Sequence, residues 1–357
     1  MNTAAPPQSL NTLLALGQAR RPWDYLRAVA QADPDLATAP PVRFLLAANL
    51  GALNFPDAAI DLLDELDAQH ITGLNTQSLR TPLQSKPSTA LAPQQQADTF
   101  RHNAALLSGP LPPECHDPIW MPPTGAVLWR DGGTLHGCDA LSHALRAVEQ
   151  AGLTPERIPA DHLPPQLIAG FSTPHLLHTL LRATRPLTNG YTPRLFIVEP
   201  DPARAARALS MFRLDDDLDD TPVGERITLF TGDDALDRLR TALAESLECA
   251  LPRSVLLDPL ASSELSQSVK SVLTELTDDQ RAAIDREQAR IERETQTLDQ
   301  AAARVRTGTN LRVLIPVSRY TNFVQHSASD LASALRSLGH EPTILAEPAP
   351  HTLLSRL

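Results

Sequence analysis

Two apolar runs in the middle of the chain end in acidic residues, whose carboxylates could bind the hydroxyls of a ribose. Glu199 and Asp201 follow the run at 195–198, and Asp233 follows the run at 227–230. A carboxylate can accept both hydrogen bonds of a vicinal diol, so these residues suit a nucleoside ligand. They can act together only if both runs end at the same place, which depends on the elements that carry them.

The elements around these acids are predicted to alternate between strands and helices. Apolar runs predict strands at 166–171, 195–199, 227–232 and 254–258. Amphipathic spacing predicts helices at 141–151, 174–183, 202–212 and 234–247. Strands without polar alternation are typical of a parallel sheet that helices cover on both faces. We therefore predict an α/β fold with a Rossmann-like, mostly parallel sheet.

The carboxyl ends of parallel strands meet at one edge of a sheet, and open α/β sheets bind ligands there. The candidate ligand-binding residues share a position directly after a predicted strand: Gly170, Ser172, Glu199, Asp201, Gly232 and Asp233. The N-terminus of the first helix after the edge would add N–H donors and a positive dipole. The pattern identifies no catalytic base.

A purely structural role for these residues is the alternative. The first loop, GFSTPH, has Gly170 alone where dinucleotide-binding loops carry a pair of closely spaced glycines. Pro174 removes one N–H donor from the start of the helix. Asp201 before Pro202 is also an ordinary helix N-cap followed by proline at the first helical position. The sheet is thus expected either to bind a nucleoside or only to support the fold.

The three strand ends resemble those of two families. Their order is similar to the Rossmann-like arrangement of methyltransferases, which implies S-adenosylmethionine as an alternative cofactor. The segments VEPDPARAARAL and RITLFTGDDALDRL resemble the core of bacterial glycosyltransferases of the motility accessory factor type, over about residues 165–260. This resemblance implies that Glu199, Asp201 and Asp233 face a nucleotide-sugar donor. The other catalytic segments of that family are not recognisable in this chain.

The C-terminal segment carries a second α/β pattern. LRVLIPVS at 311–318 and DLASALRSLGHEPTILAE at 330–347 resemble the opening of a GT-B type glycosyltransferase. A complete transferase of that type needs a second lobe, so residues 311–357 are predicted as a partial α/β unit. Residues 126–260 are predicted as the Rossmann-like domain and residues 261–310 as a helical connector.

The first part of the chain has helical spacing. Four short helices between Ser9 and about His70, joined by proline and glycine turns, predict two helical hairpins that resemble tetratricopeptide units. A plain helical bundle is the alternative. Residues 1–80 are predicted as this domain, with a surface for a protein partner. Residues 81–125, rich in proline, glutamine and serine, are predicted as a linker in which 100–107 fits one short helix. Asp131-Gly132-Gly133 predicts a β-hairpin after it.

Charge and composition exclude several classes of function. A net charge of −11 disfavours nucleic acid as a partner. No apolar run is long enough to span a membrane, and the first residues resemble no leader, so we expect a cytoplasmic protein without a membrane span. The three cysteines, an odd and sparse set, fit reduced thiols in that compartment.

Two further groups of residues could hold a metal. The run DDDLDD at 215–220 could bind Mg²⁺ or Mn²⁺, but runs of like charge are typical of solvated loops. Cysteine and histidine also occur close together, but without the paired spacing of a zinc site: Cys115, His116, His136 and Cys138. We therefore expect no metal.

The sequence as a whole favours one function over two alternatives. We expect a glycosyltransferase-related protein that binds a nucleotide-sugar or similar nucleoside. A methyltransferase that uses S-adenosylmethionine and a non-catalytic scaffold for protein interaction are the alternatives. His175 and His178 lie three residues apart with no nucleophile beside them, and we expect them to pack or to cap a helix.

Overall fold

The fold is that of a computed structural model, and it is mixed α/β with parallel sheets and an N-terminal helical region. The structure describes residues 9–71, 73–153, 164–184, 193–216, 218, 223, 226–245, 251–294, 297–308, 310–317 and 322–346. The chain divides into two compact units, the first formed by residues 1–238 and 252–269, the second by 239–251 and 270–357.

The N-terminal part is helical, as its apolar spacing predicts. Its helices are α1 (Leu10–Gln18), α2 (Pro22–Ala30), α3 (Pro34–Ala37), α4 (Pro40–Ala52), α5 (Pro56–Ala68) and α6 (Thr76–Gln84). Proline begins α2, α3, α4 and α5, because its fixed φ suits a helix start and its missing N–H needs no partner there. α4 packs against α5, and Leu46, Leu50 and Leu62 of this pair share one apolar core.

The interval predicted as a linker, residues 81–125, contains regular structure instead. It holds the end of α6, then α7 (Pro93–Ala105) and β1 (Ile119–Trp120). The buried positions of α7 follow helical spacing but are mostly polar: Gln96, Thr99, Phe100, Asn103 and Ala104. The sequence indicates one short helix at 100–107 in this interval, whereas α7 begins at Pro93. Apolar periodicity does not show the first turns, because the buried face of α7 relies largely on polar side chains.

A small antiparallel sheet follows, with the order β1, β2 (Val127–Asp131) and β3 (Thr134–Cys138). Gly132 and Gly133 connect β2 to β3 with positive φ, which confirms the predicted hairpin. Leu128 and Leu135 belong to the core of the N-terminal helices, whereas Trp129 packs with another cluster of apolar side chains that includes Met211. The hairpin therefore shares a core with the helices, and the predicted boundary at residue 125 does not separate two cores.

The central sheet is parallel, as predicted. Its strands are β4 (Gln166–Ala169), β5 (Leu195–Glu199), β6 (Ile227–Thr231) and β7 (Val255–Leu257). The strand order is β6-β5-β4-β7. The chain runs outward from β4 to β6 and then returns to the other side of β4, so the order reverses between β4 and β7. In open α/β sheets a reversal of this kind is where a crevice for ligands forms at the carboxyl edge.

Helices alternate with these strands along the chain, close to their predicted positions. They are α8 (Ala140–Gln150), α9 (His175–Ala183), α10 (Pro202–Leu209) and α11 (Ala235–Glu245). Side chains of α8, α9 and α10 pack in one core with Ile168, Ile197 and Leu229 of the strands. The sheet and these helices hold the strand ends at fixed positions, which is what a binding site requires.

The second unit contains a smaller strand–helix–strand motif. α12 (Ser263–Glu294) starts in the first unit and continues into the second, where α13 (Leu298–Arg306), β8 (Arg312–Val317), α14 (Asn322–Ser337) and β9 (Glu341–Ala346) follow. β8 and β9 pair in parallel, as the C-terminal pattern predicts. Among the described residues, no helix combines the length and apolar character needed to cross a membrane.

Candidate functional site

Hydrogen bonds join the carboxyl ends of β4, β5 and β6. Glu199, the last residue of β5, accepts from the N–H of Phe171 at 2.8 Å and from the N–H of Asp201 at 3.0 Å. The N–H of Gly232 donates to the carbonyl of Pro200 at 3.1 Å. The three loops that carry the predicted ligand-binding residues therefore lie side by side.

A fourth strand end, that of β7, closes the edge beside β4. Asp258 follows β7 directly and is only 4% exposed. It accepts from the N–H of Ser172 at 3.0 Å, from the Ser172 hydroxyl, and from the N–H of Leu260 at 3.0 Å. Gly170 has a φ of 86°, and a β-carbon there would lie 2.9 Å from the Cβ atoms of Asp258 and Ala261. Only glycine combines that φ with so close an approach.

The first loop thus gives its N–H groups to the protein's own carboxylates. Phe171 donates to Glu199, and Ser172 and Thr173 donate to Asp258. Successive N–H groups of a strand-to-helix loop commonly form an anion site. Because two side chains use these donors, the anionic part of a ligand would have to bind elsewhere along the edge.

Burial raises the pKa of both carboxyl groups above its ordinary value. For Glu199 the charge of Arg204 and two backbone N–H groups lower the pKa by less than burial raises it. For Asp258 the opposing contributions are the hydrogen bonds from Ser172, Leu260 and Thr173. The folded chain therefore holds these protons more tightly than the unfolded chain. Both groups favour folding below their ordinary pKa, and this contribution is lost as pH rises through their folded pKa.

The structure divides the six predicted residues between interior and surface. Gly170, Ser172 and Glu199 are buried, and Gly232 is half-buried. The side chain of Asp201 is 46% exposed. Asp233 is exposed, and its side chain has no hydrogen bond or ion pair with any described residue. A ligand at this edge can therefore reach Asp201 and Asp233, whereas Glu199 and Ser172 hold the loops.

Arg204 lies beside the exposed acids, on the first turn of α10. Its guanidinium is 3.7 Å from Oε2 of Glu199 and 3.9 Å from Oδ2 of Asp201, and its side chain is 33% exposed. The guanidinium donates no hydrogen bond to the described part of the chain. Burial lowers the pKa of His136 of β3, against an opposite effect of Asp131, and the charges of Arg207 and Arg204 add to the lowering. A guanidinium with unused donors suits a phosphate or a carboxylate.

Within the described part of the chain, the metal-binding candidates do not assemble into a site. No three His, Cys, Asp or Glu side chains of the described residues form a group that could hold a metal ion. Cys138 is buried, and the thiol of Cys115 donates to Asp117 at 3.3 Å. Of the acidic run at 215–220, part lies outside the described residues, and Asp215 pairs with a histidine.

The histidine pair on α9 packs, as the sequence analysis expects. The rings of His175 and His178 both meet the ring of Phe212 edge-on, with centroids 5.0 and 5.4 Å away. Burial, and then the charge of His178, lower the pKa of His175 to about 4, against a smaller opposite effect of Asp139. His175 is therefore neutral near pH 7 and acts as a packing residue.

Two residues of the site, Asp258 and Arg204, were not predicted from the sequence. Asp258 had a usable signal, because it follows the apolar run at 254–257 in the way that Glu199 follows the run at 195–198. For Arg204 the sequence contains no such signal, since arginine on the first turn of a helix is common. Its role depends on neighbours that only the folded chain brings together.

Comparisons of the chain with protein-family models, with curated proteins and with solved structures found no match. A functional assignment therefore rests on the side chains at the carboxyl edge.

Proposed function

We propose that this protein is related to glycosyltransferases and binds a nucleotide-sugar, or a similar phosphorylated nucleoside, at the carboxyl edge of a Rossmann-like sheet. The observation that carries the proposal is the position of Arg204, whose partly exposed guanidinium lies near Glu199 and Asp201. A cation beside a carboxylate suits a ligand in which a phosphate is close to a ribose diol.

Each exposed side chain has a distinct part in this binding. Asp201 uses Oδ1 to cap α10, accepting from the N–H groups of Ala203 and Arg204, so Oδ2 is left for a ribose hydroxyl. Asp233, on the neighbouring strand end, offers a second carboxylate. Arg204 binds the phosphate. Glu199 is a positioning residue, since both of its oxygens hold loop N–H groups.

The first loop argues against S-adenosylmethionine as the ligand. That cofactor presents an amino-acid carboxylate, for which N–H donors at the first strand end would be the natural partners. Here Glu199 and Asp258 accept from those donors. A phosphate on Arg204 needs none of them, so the same loop is compatible with a nucleotide-sugar.

Isothermal titration calorimetry with a set of uridine and cytidine nucleotide-sugars, and with S-adenosylmethionine, tests the proposal. We expect at least one nucleotide-sugar to bind and S-adenosylmethionine not to bind. Asp201→Asn keeps the helix cap, because asparagine caps equally well, but loses the charge. Asp201→Asn and Arg204→Gln should each weaken binding by about tenfold or more, the effect of losing a charged hydrogen bond of ~1.5 kcal/mol.

Asp237→Asn is the matched control, because Asp237 is an exposed carboxylate on the first turn of α11. It should bind the ligand as the unmodified protein does. If no nucleotide-sugar binds, a scaffold without a small-molecule ligand becomes the better account. Binding that Asp201→Asn and Arg204→Gln leave unchanged would place the ligand away from this edge.

A further inference from the structure

A second surface of the first unit, distinct from the carboxyl-edge residues, has the features of a small-molecule site. It is a groove of about 490 Å³, lined by Gln95, Asp98, Thr99, Phe212, Arg213 and Asp216. One side comes from α7 and the other from the segment after α10. Sites for small molecules commonly measure ~300–1,000 Å³, so the groove has room for one small metabolite.

Buried hydrogen bonds fix the two sides of the groove to each other. Asn103 of α7 is fully buried, and its amide donates to the carbonyl of Phe212 at 2.8 Å and accepts from the N–H of Leu214 at 2.9 Å. His102 of α7 also pairs with Asp215 at 2.8 Å. These contacts fix the shape of the groove, which reduces the entropy lost on binding.

Two opposite charges line the groove, and neither has a partner in the described part of the chain. Arg213 and Asp216 are exposed, and their side chains make no hydrogen bond or ion pair to any described residue, including each other. Asp98 differs, since it already accepts from the Gln94 amide at 2.9 Å. A separated guanidinium and carboxylate on one groove match a ligand that carries both a negative and a positive group.

The hydroxyl of Thr99 is a further polar group that a ligand in the groove could contact. Thr99 lines the groove and is only 7% exposed. Threonine in a helix commonly donates to the carbonyl three or four residues earlier, but the Thr99 hydroxyl has no hydrogen-bond partner within the described residues. The hydroxyl keeps contact with solvent, so it is available to a polar group of a ligand in the groove.

From this geometry we infer a binding site for a small zwitterion of the α-amino acid class. Arg213 binds the carboxylate, Asp216 the ammonium group, and Thr99 a polar atom of the ligand. The ring of Phe212, held edge-on by His175, provides apolar contact for the remainder. This inference uses none of the carboxyl-edge residues and does not depend on the nucleotide-sugar proposal.

Calorimetric titration of the full chain with each of the common L-amino acids tests this inference. We expect at least one to bind with a Kd of about 1 mM or lower, corresponding to ~4 kcal/mol. Its decarboxylated amine and its N-acetyl derivative, which each lack one charge, should bind at least about tenfold more weakly. Arg213→Gln should weaken binding of the amino acid by about tenfold but leave binding of the amine unchanged.

Two further variants separate a ligand role from a structural one. Thr99→Val should weaken binding severalfold without lowering the melting temperature, because the lost hydroxyl has no partner among the described residues. Arg146→Gln, which removes an exposed guanidinium from α8, should bind as the unmodified chain does. The inference is overturned if no amino acid binds, or if Arg213→Gln and Thr99→Val leave the affinity unchanged.

Discussion

Replacing Asp258 with alanine is expected to lower the free energy of unfolding by about 4 kcal/mol, because each buried N–H left without a partner costs about 1–3 kcal/mol. Asp258 is 4% exposed and accepts from the N–H and hydroxyl of Ser172 and from the N–H of Leu260. Alanine would leave these donors buried and unpaired. Urea unfolding at neutral pH, followed by circular dichroism, measures the loss.

A graded series distinguishes this mechanism from a general effect of mutation. Ser172→Ala removes only the hydroxyl and should cost about 1 kcal/mol. Asp234→Asn removes a carboxylate that is 67% exposed and pairs with Arg238, so it should cost no more than about 1 kcal/mol. If Asp258→Ala costs no more than Asp234→Asn, Asp258 is not what holds the first loop.

The sheet could be predicted because its sequence signal is local. Strands β4 to β7 are short apolar runs without polar alternation, and helical spacing separates them. Each predicted strand overlaps an observed one, and β5 has the predicted bounds of 195–199. Strand order does not follow from such runs, because pairing depends on contacts between residues far apart in sequence. The reversal beside β4 is visible only in the folded chain.

Helix α7 shows where apolar patterning is insufficient. Its buried face includes Gln96, Thr99 and Asn103, so the apolar pattern indicates only a short helix at 100–107 and misses the first turns. Asn103 is nevertheless fully buried, because its amide satisfies backbone groups after α10. The partner segment lies more than a hundred residues later in the chain, and nothing in the local sequence indicates it.

The sequence predicts which strand ends carry the candidate residues, but not which of these residues are buried and which are exposed. The sequence places acids at the correct strand ends, as the hydrogen bonds from Phe171 and Asp201 to Glu199 illustrate. It could not tell that Glu199 would be 1% exposed while Asp201 stays at the surface. Burial depends on how the loops after the strands pack against each other, which the local sequence does not show.

Acidification is expected to destabilise the protein through His175, by up to ~3 kcal/mol between pH 6.5 and about 4. His175 is 6% exposed, and burial lowers its pKa from 6.5 to about 4. As pH falls through this window the unfolded chain binds a proton at this residue while the folded chain does not, so unfolding is favoured. Urea unfolding at pH 7 and at pH 4.5 measures the change.

The raised pKa values of Glu199 and Asp258 act in the opposite direction, because the folded chain binds those protons more tightly. The contribution of Glu199 and Asp258 cancels when the pH dependence of stability is compared between the unmodified protein and His175→Phe, because both proteins contain these acids. Phenylalanine keeps a ring against Phe212, and the buried Nδ1 that it replaces has no hydrogen-bond partner among the described residues. The variant should lose less stability on acidification than the unmodified protein. Parallel pH profiles would mean that His175 is protonated as readily in the folded chain as in the unfolded one.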